Sequence, residues 1–354
     1  MFEILTTKKK FNAIDVQFGG KYRYIARGEK NNGIRGYITK DVKYLNEANT
    51  ISFGQDTATM FYQNKPYFTG DKIKIFHPKN HIKLNKDNAQ LFITTMNKTF
   101  SSFSWGSSSY NVSILNETKI KLPIENGEIN FSFMENFIKE LESERIAQLE
   151  AYLLASGLKD YTLTAQEQKV LDNFENIEWE EFRLGALFEK IKTKKLSFKA
   201  DELPKQIIGK YTLPCLTSSF QNQGLNYFAP KDGATILKNV ISIPSNSDIY
   251  RAYFQSNEFT VLSDAYAINW VYGDAQLSPN QYLFTVPCIN KVTDLSIYSY
   301  KNKLGGWNVV RNKHIQLPIK NDKPDYKIMD TLISAIQKLI IKDVVLYTNK
   351  KVGT

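Results

Sequence analysis

The chain has 354 residues, 42% hydrophobic and 23% charged, which supplies enough apolar material for two packed domains. Lys and Arg number 46 against 36 Asp and Glu, and the net charge of +10 favours an anionic partner, nucleic acid first and an acidic membrane surface second. Two cysteines exclude a disulfide framework, the opening MFEILTTKKKF has no apolar signal core, and no 18-residue apolar run occurs, so a secreted or membrane-spanning chain is set aside in favour of a reduced, cytoplasmic setting.

In chain order, Asn31-Asn32-Gly33 comes first as a hairpin-type turn, because Asn and Gly tolerate positive φ. Strands are expected at 50–53, 72–76 and 91–95, punctuated by Gly, Asn and Pro. A long helix is expected from Ser132, which stands three residues before Glu135 in capping-box spacing. Its apolar stripe is Phe133, Phe137, Ile138, Leu141, Leu149, Tyr152 and Leu153, and Gly157 stops it. Thr164-Ala165-Gln166-Glu167 is another capping box, opening a short helix that ends near Phe174. Strands follow at 239–243, 265–271 and 281–286. A second long helix covers about 325–347, with Ile328, Met329, Leu332, Ile333, Ile336, Leu339, Ile340 and Val344 as its stripe. Each long helix measures roughly 35 Å at 1.5 Å per residue. Two such stripes can bury each other as an antiparallel pair or pack on their own domains.

The chain repeats itself. Ile120-Lys121-Leu122-Pro123-Ile124 matches Ile315-Gln316-Leu317-Pro318-Ile319, and a polar turn and an apolar-periodic segment follow each. Upstream, Gly20-Lys21-Tyr22 matches Gly209-Lys210-Tyr211, Asn32-Gly33-Ile34 resembles Gln223-Gly224-Leu225, and Ile51-Ser52 matches Ile241-Ser242. Tyr110-Asn111-Val112 resembles Trp307-Asn308-Val309. Trp179, Phe182 and Leu184 open the second unit without a counterpart in the first, which is either shorter or lacks about eight residues by the repeat offset.

Several chemistries are absent from the sequence. No two prolines are adjacent, which excludes the Asn/Asp-Pro-Pro-aromatic signature of amino-methyltransferases. There is no Gly-x-Gly and no Gly-x-x-x-x-Gly-Lys, so neither a dinucleotide fingerprint nor a P-loop is encoded. His77 and His81 have helical metal-pair spacing, but Pro78 opposes a helix and no third ligand is evident. His314 reads as a strand-edge residue, and Asp71 and Asp264 as turn or cap residues.

Two β-rich regions, each closed by a long helix after a Leu-Pro-Ile segment, resemble the specificity subunits of type I restriction–modification systems. Trp179-x-x-Phe182-x-Leu184-Gly185-x-Leu187-Phe188 is similar to the opening of that family's target-recognition domains, as are Asn31-Asn32-Gly33-Ile34-x-Gly36-Tyr37 and the run from Ile51 to Tyr62. The linker from Gly157 to Trp179 resembles a subset found with compact and type IIB-like systems. The resemblance implies an α+β fold with two tandem target-recognition domains in pseudo-two-fold arrangement and the long helices paired as an antiparallel coiled coil. The domains would be recognition domain 1 at 1–124, helix and linker helix at 125–178, recognition domain 2 at 179–319 and the second helix at 320–354. It implies a non-catalytic chain that reads a bipartite, interrupted DNA site. Two adenine methyltransferase subunits carrying S-adenosylmethionine would dock around the helices, with restriction or translocase subunits in a full complex and no cofactor in this chain. An orphan DNA-binding or scaffold subunit without restriction is the alternative.

Phosphate contacts need Lys and Arg, and the candidates are Lys8, Lys9, Lys10, Lys21, Arg23, Arg27 and Arg35, then Lys194, Lys195, Lys210, Lys231, Arg251, Lys301 and Lys303. For any one Lys, a solvated surface position is an equal reading. Base readout needs side chains on loops that can donate and accept. Asn31, Asn32, Gln55 and Asp56 qualify in unit one, and Ser218, Ser219, Gln221, Asn222, Asn246 and Arg251 in unit two. Gly305-Gly306-Trp307 allows close approach of backbone, and Trp307 reads either as a stacking wedge or as a buried strand aromatic. Phe137, Leu141, Leu149, Leu332, Ile336 and Leu339 are the candidate helix-pair or partner contacts.

Overall fold

The structure, a computed structural model, describes residues 1–101, 110–247, 250–297, 301–302 and 304–353. The chain divides into unit 1, Met1–Leu149, and unit 2, Glu150–Thr354. Unit 1 opens with seven strands: β1 (Phe2–Thr6), β2 (Tyr22–Ile25), β3 (Ile34–Ile38), β4 (Thr50–Gly54), β5 (Met60–Gln63), β6 (Tyr67–Thr69) and β7 (Ile73–Pro78). Helices α1 (Lys86–Phe100) and α2 (Val112–Glu117), the small hairpin β8 (Ile124–Glu125) and β9 (Glu128–Ile129), and the long helix α3 (Phe131–Ala155) follow, the last running into unit 2. The first seven strands form sheets of order β1-β7-β4-β5 and β3-β2-β6, with β2 and β6 parallel and every other neighbour antiparallel. Strand β4 is buried along its whole length. Its Ile51 and Phe53 meet Phe76 and the α1 residues Ala89, Phe92, Ile93 and Met96, with Met134 of α3 in the same core.

Unit 2 begins with the end of α3 and helix α4 (Ala165–Asp172), then β10 (Trp179–Arg183), α5 (Leu184–Leu187) and β11 (Phe188–Lys190). Next come β12 (Tyr211–Leu216), β13 (Leu225–Pro230), β14 (Val240–Pro244), β15 (Tyr253–Gln255), β16 (Thr260–Val261) and β17 (Ala265–Trp270). It closes with α6 (Pro279–Thr293), α7 (Trp307–Val310), β18 (His314–Lys320), β19 (Lys323–Pro324) and α8 (Tyr326–Val352). The sheet orders β11-β17-β14-β15 and β13-β12-β16 repeat those of unit 1, down to the parallel pair β12–β16. Strand β10, paired with β18 from Trp179 opposite Pro318 to Arg183 opposite His314, has no counterpart among the described residues of unit 1.

Three sequence expectations are corrected. The segments 91–95 and 281–286 are helical, lying within α1 and α6. Both helices begin in capping boxes, Asn85 with Asn88 and Ser278 with Gln281, and Pro279 takes the first turn, where its missing N–H costs nothing. Buried Ala89, Phe92, Ile93, Met96 and Phe100 then recur at helical spacing. The first long helix is capped by Asn130, whose Oδ1 accepts from Phe133 N at 2.8 Å, so the Ser132–Glu135 box does not form. Trp307 opens the short helix α7, half-buried against Tyr266 at 6.2 Å, and is no strand residue. The second long helix is capped by Asp325, whose side chain accepts from Lys327 N and Ile328 N.

Candidate nucleic-acid interface

In unit 1 the β2–β3 hairpin turns through Asn31, Asn32 and Gly33, all at positive φ. Beside it an open cleft of about 1170 Å³ is lined by Arg27, Lys30 and Arg35 together with Asn12, Asp15 and Asp71. Arg27 and Lys72 both pair with Asp56, the lysine at 3.0 Å, and the hydrogen bond from Lys72 leads in holding the Asp56 carboxyl below the usual range. Lys10 pairs with Asp71 at 3.0 Å and lowers its pKa in the same way. The Arg35 side chain is exposed and makes no hydrogen bond or ion pair among the described residues. Thus Arg27, Arg35, Asn31, Asn32, Asp56 and Lys10 gather around one surface. Gln55 lies one residue away, its amide donating to Tyr110 O at 3.4 Å.

Other unit 1 candidates lie on or beside the small sheet β3-β2-β6. Arg23 donates to Asn64 Oδ1 at 2.8 Å, and Lys21 stands 5.6 Å from the Tyr22 ring. Lys8 donates its backbone N–H to Asn46. Lys9 lies 4.6 Å from the Tyr44 ring, and Lys43 lies 4.9 Å from it. Lys40, Lys43 and Lys72 were not singled out from sequence. Only folding brings Lys40 to Phe11 and Lys72 to Asp56, whereas Lys43 adjoins Tyr44 in the chain.

In unit 2 the equivalent turn runs through Gln221, Asn222, Gln223 and Gly224, with the last three at positive φ. Ser218 donates through both N and Oγ to Asp264 Oδ2, the hydroxyl at 2.9 Å, and Ser219 Oγ accepts from Gln221 N. Asp264 therefore acts as a loop cap, whereas its counterpart Asp71 forms an ion pair. Arg251 is held by Asp294 through Nε at 2.9 Å and Nη2 at 2.7 Å. Lys231 pairs with Glu258, and Lys210 stands 5.9 Å from the Tyr211 ring. Lys194, Lys195, Asn246 and Lys301 are exposed, and Lys303 lies outside the described residues. The close approach at Gly305 serves packing: a Cβ there would lie 1.7 Å from the Tyr250 ring, and Gly305 O accepts from Tyr266.

Beneath these different loops lies one duplicated set of hydrogen bonds. In unit 1 Gln63 Nε2 donates to Asn32 O at 3.1 Å and Ser52 Oγ at 3.2 Å, while Ser52 donates to Phe61 O. In unit 2 Gln255 Nε2 donates to Gln223 O at 3.1 Å and Ser242 Oγ at 3.0 Å, while Ser242 donates to Tyr253 O. Each glutamine thus fixes its hairpin tip to the larger sheet. A second duplicated device anchors the helices. Glu135 of α3 accepts from Asn85 and Asn88 at the start of α1, and Asp330 of α8 accepts from Ser278 and Gln281 at the start of α6.

The linker is fastened to α8. Buried Glu167 accepts from Ser334 Oγ and from Lys338 Nζ at 3.0 Å, and Lys338 also donates to Thr162 O. Burial opposes the Glu167 charge, but hydrogen bonds from Ser334, Thr164 and Lys338 outweigh it and hold the carboxyl at about 2. Of the helix-stripe residues, Leu332 is buried in the core of unit 2, Leu149 is half-buried, and Phe137, Leu141, Ile336 and Leu339 are exposed. No described helix is long and apolar enough to cross a membrane, and no group of three His, Cys, Asp or Glu among the described residues is placed to hold a metal. His77 is 3.2 Å from Glu47. Burial, aided by Asp264, pushes the Cys215 thiol to about 12, and burial raises Cys288 to about 11, so neither is an activated nucleophile.

Residues 1–151 and 176–345 match the family described as the type I restriction modification DNA specificity domain. The chain belongs to that family. It is therefore a DNA-specificity subunit of restriction–modification type, which selects DNA sequence and leaves catalysis to other subunits. The type II restriction enzyme specificity subunit S.BcgI of Heyndrickxia coagulans is 25% identical over 326 residues, covering 90% of this chain and 86% of that one. The fold is similar to that of a type I restriction–modification S subunit from M. genitalium, with a TM-score of 0.58 and 15% identity, covering 99% of this chain and 90% of that one.

Proposed function

We propose that this specificity subunit reads a bipartite, interrupted DNA site, one half through each unit, and directs adenine methylation by partner subunits. The observation that carries the reading is a duplicated frame under divergent loops. The Ser52–Gln63–Asn32 and Ser242–Gln255–Gln223 networks are alike, while the hairpins they fix carry Arg27 and Arg35 in one unit and Ser218, Asn222 and Asn226 in the other. One scaffold bearing two chemistries suits two unequal half-sites. The basic side chains around the hairpins supply phosphate contacts and the loop side chains reach base edges. The domain limits follow the repeat, with recognition domains at 1–124 and 179–319 and helical segments at 125–178 and 320–354.

In this reading α3 and α8 pair antiparallel in a pseudo-two-fold arrangement and set the spacing between half-sites. Two modification subunits carrying S-adenosylmethionine dock around them, joined by restriction subunits where the system cleaves. The exposed Phe137, Leu141, Ile336 and Leu339 supply apolar contacts for that assembly. The setting is cytoplasmic. Methylome sequencing of a host expressing the neighbouring modification subunit, with and without this chain, tests the proposal. A bipartite adenine-methylation motif that requires the chain is expected. An unchanged methylome with both proteins expressed and bound contradicts it.

A further inference from the structure

The two hairpins share a register irregularity. In β2–β3, Tyr24 is opposite Gly36 and Ile25 is opposite Ile34, so Arg35 is an extra residue without a partner across the ladder. In β12–β13, Cys215 is opposite Tyr227 and Leu216 is opposite Leu225, and Asn226 is the extra residue. A bulge re-aims the side chain it carries and keeps a fixed place in a duplicated fold. Gln63 and Gln255 hold the neighbouring turns from the larger sheets, so both bulges stand on fixed supports.

The chemistry at the two places differs. Arg35 is exposed, lines the cleft and has no partner among the described residues, whereas neighbouring Arg27 is tied to Asp56. Asn226 is half-buried and gives one amide N–H to Thr217 Oγ1 at 2.8 Å, which leaves its Oδ1 and second N–H for a ligand. A free guanidinium fork matches the O6 and N7 acceptors of guanine, and a side-chain amide matches N6 and N7 of adenine. Resting on the two-half-site reading above, we propose that the bulge residue of each hairpin determines specificity, and that the half-site read by unit 1 contains a guanine contacted by Arg35. Arg35 is then a base reader and no mere phosphate contact, and Asn226 fills the corresponding place in the other half-site.

The test uses the full chain co-expressed with its modification subunit, comparing wild type, Arg35→Ala, Arg35→Lys and Asn226→Ala by methylome sequencing. The wild-type motif is expected to carry guanine in one half. Arg35→Ala should admit other bases at that position alone, with methylation of the guanine-containing site down about tenfold to a hundredfold. Arg35→Lys, which keeps the charge, should relax the same position, and Asn226→Ala should relax one position in the opposite half. Two results would overturn the inference: a uniform drop in methylation by Arg35→Ala with the motif unchanged, or relaxation of the same half by Arg35→Ala and Asn226→Ala. A wild-type complex that methylates no defined site removes the underlying two-half-site reading, and this inference with it.

Discussion

Glu135 and Asp330 occupy equivalent places at the start of the two long helices, and each ties the N-terminus of a shorter helix to its own unit. An acid beside a helix N-terminus is favoured by the dipole and satisfies the capping side chains at once. Glu135→Ala and Asp330→Ala should each cost about 1–3 kcal/mol, because they leave half-buried amide and hydroxyl donors unpaired. Hydrogen exchange should show faster opening of α1 in the first variant and of α6 in the second, each with the other unit unchanged. Glu167 gives a pH prediction. Its carboxyl titrates at about 2 in the folded chain against an ordinary 4.5, so its contribution is complete above about 4.5 and is lost as pH falls towards 2. Thermal melts between those values should show an acid-induced loss for wild type that is smaller in Glu167→Gln.

At the scale of elements, the linker depends on Lys338, which bridges Thr162 and Glu167 to α8. Lys338→Met should cost about 1–3 kcal/mol locally, because it leaves the Glu167 charge buried without its cation. Limited proteolysis near residues 157–163 should accelerate while the helix content holds. The two long helices, the α4 capping box and the Asn31–Gly33 turn were legible in the sequence because each carries its signal within a few residues. Segments 91–95 and 281–286 were misread because a five- or six-residue apolar window does not separate strand from buried helix. The decisive signals, Asn85 and Ser278-Pro279, stand outside those windows. The repeat could be read from short ordered matches. The Gln63 and Gln255 networks could not, since each joins residues from separate strands and a distant turn. The candidate site was partly legible: the Lys and Arg candidates from Lys8 to Arg35 stand in the sequence, but the Arg27–Asp56–Lys72 cluster and the freedom of the Arg35 side chain arise only on folding.

Across the whole molecule, a net charge of +10 and the basic side chains around the unit 1 cleft should make DNA association salt-dependent. The logarithm of the binding constant should fall linearly with that of salt concentration, by about 0.9 per phosphate neutralised, and removing one phosphate-contacting Lys should reduce the slope by about one. In the proposed function each unit reads its own half-site from a shared frame. The most direct measurement is the methylation motif directed by a chimera in which residues 1–124 are replaced by the equivalent segment of unit 2, assayed with the same modification subunit. A palindromic, interrupted motif made of two copies of one wild-type half-site is expected. A chimera that folds, assembles and still directs the original asymmetric motif would contradict it.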